Sequence, residues 1–324
     1  MIPFISRQWF LICLAIVLTL GLTCPDAAFF PWLKRAELLR NGIVATVLLM
    51  TSLVLNTRAI TDAIRRPLAV TWGVFVNSVV VPLAAWPMSL LLQDDLALGL
   101  IVTAAAPCTV ASAAVWTRRA GGNDAIAILV TVITNASCFL VMPLWIRLFS
   151  GLSGSPIPVG EMMLKLLYQV FLPMAIGQLL RQHAAVARWS GERKRLLGNL
   201  SQVGILVIVL VGAINCGQQL HTTSHWHLGT GSIAWMLVVV AGLHIAMLVV
   251  AQRGGRALGL PRESWIATGF AGSQKTLMVG LHVALQIGSG LTILPMVAYH
   301  VLQLLIDTLA ADRLHPSEGP LSGV

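Results

Sequence analysis

The feature that most constrains this chain is a succession of apolar runs, 16 to 26 residues long, separated by short charged or Gly/Pro/Ser-rich joints. About 20 apolar residues in a helix match the ~30 Å hydrocarbon core of a bilayer. Inside that core every backbone N–H and C=O needs a partner within the protein, and a helix supplies one for each. Ten runs are read, at about 8–23, 41–57, 68–92, 96–117, 124–149, 160–181, 197–217, 230–251, 263–287 and 290–310. A water-soluble globule is excluded: only 10% of the residues are charged, against ~25% in an ordinary soluble domain. The chain is therefore read as an all-α polytopic membrane protein, a single domain over 1–324 with no room for a soluble module.

The net charge of +9 does not indicate nucleic acid, because the basic residues lie in alternate joints. The joints after spans two, four, six and eight, with the two tails, hold fifteen Lys and Arg, among them Arg58, Arg65, Arg66, Arg118, Arg119 and Arg181. The other side holds five: Lys34, Arg35, Arg40, Arg147 and Lys165. The positive-inside rule places both termini in the cytoplasm and Asp94 and Asp95 outside, in a multi-pass protein of the cell membrane. The stretch Trp9 to Leu22 behind Arg7 has some look of a signal peptide, but it is read as an uncleaved first span, since its removal would spoil the alternation. The five cysteines form no C-x-x-C pair, and neither a disulfide framework nor a metal site is read from them.

Five spans plus five means that the two halves enter the membrane from opposite sides, the geometry of an inverted repeat. Breaks at Pro107 in span four and Gly272 in span nine lie 165 residues apart, close to half of 324. Polar residues inside lipid are costly and mark function by default. In span four, Pro107 frees a carbonyl and is followed by Thr109 and Ser112; a half-helix starting there offers unpaired N–H groups to an anion. In span nine, Gly269 and Gly272 precede Ser273, Gln274, Lys275 and Thr276, four consecutive polar residues that one helix face cannot hold. Lys275 lies some 12 residues from either end of its span, ~18 Å at helical rise and too far for easy snorkelling. Asn77, Thr131, Thr134 and Asn135 are further polar positions in spans three and five. His244, His282 and His300 are read as satisfied core histidines, and Asp307 as reaching the interface.

These features together resemble the bile acid:sodium symporter family, SBF-like branch. The likeness rests on the basic joint from Arg58 to Pro67, Asn77 with Pro82, Pro107 with Ser112, the Gly121–Gly122–Asn123 turn, and the polar stretch of span nine. It implies a fold of two inverted five-helix repeats in which broken spans four and nine cross. A core (about 68–149 and 230–310) would work against a panel (about 8–57 and 160–217). The positions that touch the cation in sodium-coupled members fall on Ser112, Thr131, Asn77 and Gln274. The acidic residue of those members appears here as Phe270, an asparagine as Ala113, a serine as Ala127, and Lys275 stands where they carry asparagine. No metal ligand is therefore assigned, and Lys275 is read as standing in for the ion.

The expected function is a secondary transporter of organic anions, bile-acid-like or other amphipathic carboxylates or sulfates, working by alternating access. No cofactor is expected, and sodium coupling is expected to be reduced, lost or changed to protons. Its partners are the small anion and the lipid bilayer; no oligomeric state is read. Alternatives are a proton-coupled cation exchanger of the same fold, with Lys275 titrating, and a non-transporting membrane regulator. An enzyme is not expected: the spans hold no acid pair, Ser–His set or H-E-x-x-H motif.

Overall fold

The structure, a computed structural model, describes residues 2–25, 37–55, 65–109, 112–149, 159–222, 230–288 and 290–315. Lys34, Arg35 and Arg58, three of the basic residues used above, lie outside the described residues. All regular structure among the described residues is helical. In chain order it comprises α1 (Ile2–Thr23), α2 (Glu37–Val54), α3 (Pro67–Ser89), α4 (Asp94–Ala105), α5 (Ser112–Arg119), α6 (Asp124–Phe149) and α7 (Val159–Gln182). There follow α8 (Ala184–Glu192), α9 (Lys194–Thr222), α10 (Thr230–Ala257), α11 (Arg262–Ser273), α12 (Leu277–Ile287) and α13 (Ile293–Leu314).

Among the described residues six helical stretches are long and apolar enough to cross a membrane: α3, α6, α7, most of α9 and α10, and α13 with the turn before it. Their outward faces carry Leu144, Leu148, Trp235, Val238 and Leu309, all exposed. In lipid such side chains meet a solvent as apolar as themselves, so only small residues and polar contacts distinguish the inner faces. The contact of α1 with α9 shows this. A Cβ on Gly21 would collide with Ala213, and one on Gly217 with the carbonyl of Gly21, so the two backbones touch because neither position has a side chain.

The helix α2 packs on α7 and α9, and α1 on α9. Around them α11 packs on α3, α5, α6 and α10, while α13 packs on α4, α5, α10 and α12. The basic joints gather at one end of the bundle. Arg66 pairs with Glu263 at 2.5 Å, Arg119 with Asp312 at 2.6 Å, and Arg118 with Asp124. Arg181 donates to the carbonyl of Leu53 at the end of α2.

Two stretches depart from continuous helix. The chain unwinds between α4 and α5 and again between α11 and α12, and the two unwound pieces meet where the amide of Thr276 donates to Pro107 O at 2.8 Å. The second break starts at Gln274. Gly272, read from sequence as the break, and Gly269 lie inside α11 instead. They permit close packing: a Cβ on Gly269 would strike Gln252, and one on Gly272 would press on Val76.

Candidate functional site

Unwinding inside an apolar layer leaves main-chain groups that need partners. In the first gap Cys108 N donates to Thr134 Oγ1 at 3.2 Å, and Cys108 O accepts from Asn135 Nδ2 at 2.8 Å. Thr109 O accepts from Thr131 Oγ1 at 3.3 Å. The donors and acceptors come from α6, one turn apart, so one helix face serves both Cys108 and Thr109.

The second gap draws on longer side chains of α3 and α13. Gln303 bonds both groups of the Lys275 peptide, accepting from its N–H at 2.9 Å and donating to its C=O at 3.0 Å. Tyr299 Oη donates to Ser273 O at 2.6 Å. Asn77 Nδ2 lies 3.1, 3.3 and 2.9 Å from the carbonyls of Ala271, Gly272 and Gln274.

Lys275 is fully buried. Its Nζ donates to Asn77 O at 2.6 Å, Ala106 O at 2.9 Å and Asn77 Oδ1 at 3.3 Å. An ammonium has three hydrogens and no acceptor, and three oxygens face it. Sequence chemistry explains why two of these are free. Asn77 lies in the π-helical turn Val76–Val80, where its carbonyl would look five residues ahead, to Pro82, which has no N–H. Ala106 is extended and already out of the helix. Thus Asn77-x4-Pro82 and Ala106-Pro107 each present a carbonyl to the same cation.

A second polar chain runs from this point. Thr109 Oγ1 and Ser112 Oγ are 2.9 Å apart, Ser112 Oγ donates to Gln274 Oε1 at 2.8 Å, and Gln274 Nε2 donates to Asp307 at 2.5 Å. Asp307 Oδ1 lies 2.9 Å from His244 Nε2, and both residues are fully buried. The expectation that Asp307 reaches the interface is therefore corrected. It lies seven residues before Leu314, but its helix face turns inward to α10 and to the second gap. Among the described residues Lys275 and Asp307 are the buried Lys, Arg, Asp or Glu side chains.

The structure thus brings together Asn77, Pro107, Thr109, Ser112, Thr131, Asn135, Ser273, Gln274, Lys275 and Thr276, the residues singled out in the sequence. It adds Gln303 and Tyr299, which the sequence reading did not single out, and Asp307 and His244, read there as an interfacial acid and a satisfied core histidine. Their signal was available: Tyr299, Gln303 and Asp307 recur every four residues, on one face of a helix that otherwise reads as apolar. Asn135 Oδ1 is buried beside Cys108 without a hydrogen-bond partner. Phe270 lies in an apolar cluster with Trp265, Ile266 and Ala311.

Comparison with known proteins agrees in kind. The profile of the family described as SBF-like CPA transporter family (DUF4137) matches residues 8–316. The YfeH protein of Escherichia coli (strain K12) is 28% identical over 239 residues, which cover 71% of this chain and 69% of that protein. The chloroplastic BASS4 protein of Arabidopsis thaliana is 26% identical over 284 residues, 82% of this chain and 64% of the relative. Sodium/bile acid cotransporter 7 of Xenopus tropicalis is 22% identical over 323 residues, 96% of this chain and 92% of the relative.

Proposed function

Since the chain belongs to the SBF-like CPA transporter family, we propose that it is a secondary carrier of small organic anions in which Lys275 takes the place of a coupled sodium ion. The family and its relatives are transporters rather than enzymes. The observation that carries the reading is the buried ammonium held by three protein oxygens at the meeting of the two gaps. Carbonyl and amide oxygens around a buried positive charge are what a cation site offers, and here the charge is covalently attached. A second cation a few ångströms away would be repelled in the low dielectric of the site.

Three further features support the reading. The turn of α11 that would present a carboxylate carries Phe270, packed in an apolar cluster. The side-chain amide oxygens are taken, that of Gln274 accepting from Ser112 Oγ at 2.8 Å and that of Asn77 facing Lys275 Nζ at 3.3 Å. Asp307 is engaged by Gln274 and His244. The residues present do not fit a sodium ion.

In this reading the chain forms two inverted five-helix units. A core of α3–α6 and α10–α13 rocks against a panel of α1, α2, α7 and α9, exposing the crossing to either side in turn. The termini and the ion-paired end of the bundle are cytoplasmic, and the chain resides in the cell membrane. The substrate is an amphipathic organic anion. Its charge is met by the field of Lys275 and by the N-terminal end of α5, where Ser112 is only partly buried.

The test is uptake of radiolabelled taurocholate into proteoliposomes, with sodium or with choline as the bulk cation. Equal uptake in both is expected, with a loss of at least about tenfold in Lys275→Ala, equivalent to about 1.4 kcal/mol. Strict sodium dependence that Lys275→Ala leaves unchanged would overturn the proposal.

A further inference from the structure

The pair His244–Asp307 has no role in a carrier that relies on Lys275 alone. Its hydrogen bonds allow the protons to be counted. Tyr299 Oη gives its only hydrogen to Ser273 O, so toward His244 Nδ1, 3.2 Å away, it offers a lone pair. Nδ1 therefore carries a hydrogen. On the opposite edge Nε2 lies 2.9 Å from Asp307 Oδ1, and without a hydrogen there two lone pairs would face each other. One proton lies between them. The other carboxylate oxygen accepts from Gln274 Nε2, whose own Oε1 accepts from Ser112.

We propose that the His244–Asp307 pair is a proton-binding site, and that its proton travels with the organic anion. The inference rests on the anion-carrier reading above. When the proton leaves, His244 keeps its Nδ1 hydrogen, Asp307 remains a carboxylate, and the proton passes to water on the side to which the crossing is open. Nε2 and Oδ1 then repel, the carboxylate turns away, and Gln274 loses the partner that holds it across from Ser112.

The charges show why a proton and an anion belong together. With its proton the pair is neutral, so the site carries the +1 of Lys275, which one bound monoanion cancels. Without proton or substrate, Asp307 and Lys275 cancel each other. Both loaded and empty cores are then neutral, the least costly condition for groups moving through low dielectric.

Other charged groups near the pair are engaged or remote. Within reach are Lys275 and Cys108 from the two gaps, and Tyr299 of α13. His300 contacts Gln303, and His282 of α12 bonds Gln169. At the helix ends, Arg118 and Arg119 of α5 pair with Asp124 and Asp312, Glu263 of α11 pairs with Arg66, and Arg256 of α10 stacks on Trp265. Arg253 of α10, Arg313 of α13 and Lys194 and Arg195 of α9 also sit at helix ends, all exposed, and Asp95 lies in the first turn of α4. Cys216 of α9 is buried.

Two measurements test the proposal. In sodium-free proteoliposomes an inward proton gradient of one pH unit should raise taurocholate accumulation by up to about tenfold, the limit for one proton per anion. Asp307→Asn should abolish that response. Independently of any substrate, ¹⁵N NMR of histidine-labelled protein in nanodiscs should show an Nε2 resonance, absent in His244→Gln, that moves as pH is changed and whose titration is displaced in Asp307→Asn. An Nε2 resonance indifferent to pH in the natural protein overturns the proton site. A gradient without effect on taurocholate that is taken up overturns the coupling. A titrating His244 in a protein that takes up no taurocholate supports the proton site and counts against the carrier reading instead.

Discussion

After Ala105 the chain leaves the helix where Pro107 removes an amide, whereas after Ser273 it leaves with every amide in place. At Cys108 and Thr109 the first gap is closed by short, uncharged side chains of α6, and Ala106 O turns to the ammonium. The second is held open by long side chains from α3 and α13, and the ammonium lies in it. The contrast teaches that one break follows from local covalent chemistry and the other from its neighbours. A helix through Gln274–Thr276 would satisfy its own amides, so the unwound form persists only because Gln303, Tyr299 and Asn77 bond the same groups.

The sharpest attack on that contrast is Gln303→Leu. It orphans both main-chain groups of Lys275, and at ~1–3 kcal/mol for each buried unsatisfied group the loss should be about 2–6 kcal/mol, read as a lowered melting temperature in detergent. Asn77→Leu comes next. It removes the amide shared among three carbonyls and one oxygen from Lys275, with an expected loss of about 1–3 kcal/mol by the same melt. In the first gap, Thr134→Val deprives Cys108 N of its acceptor, and about 0.6–1.7 kcal/mol is expected, the range of hydrogen bonds between membrane helices. The smallest effect belongs to Pro107→Ala, within about 1 kcal/mol of the natural chain. The proline nitrogen makes no hydrogen bond, and the extended Ala106 before it keeps its carbonyl on Lys275 whichever residue follows. If Pro107→Ala proved more damaging than Gln303→Leu, the two breaks would not differ in the way described.

Much of the architecture was legible because hydropathy is a local property summed over a long window. The run read at 124–149 is the helix Asp124–Phe149, and the run read at 263–287 is covered by α11 and α12. The interruptions were legible too, one from a proline and the other from four adjacent polar residues. Partner choice was less so. Gln303 and Tyr299 look like ordinary polar positions on an amphipathic helix until the rotation of α13 is known, and Asp307 looked close enough to an end to escape.

The sequence alone determined that the chain must live in a bilayer, roughly where its long apolar helices fall, and that a lysine at position 275 could not face lipid. Each of these follows from the cost of moving a single group or segment out of water, which depends on neighbours in the chain. Only the tertiary structure decided which oxygens receive the lysine, that Asp307 turns inward to His244 and Gln274, and that Gln303 replaces the helical partners of the Lys275 peptide. Those pairings depend on the relative rotation and depth of helices far apart in the chain. Small residues set that rotation and depth through close contact, as Gly99 of α4 does against Thr292 O and Pro295 and Gly272 of α11 against Val76.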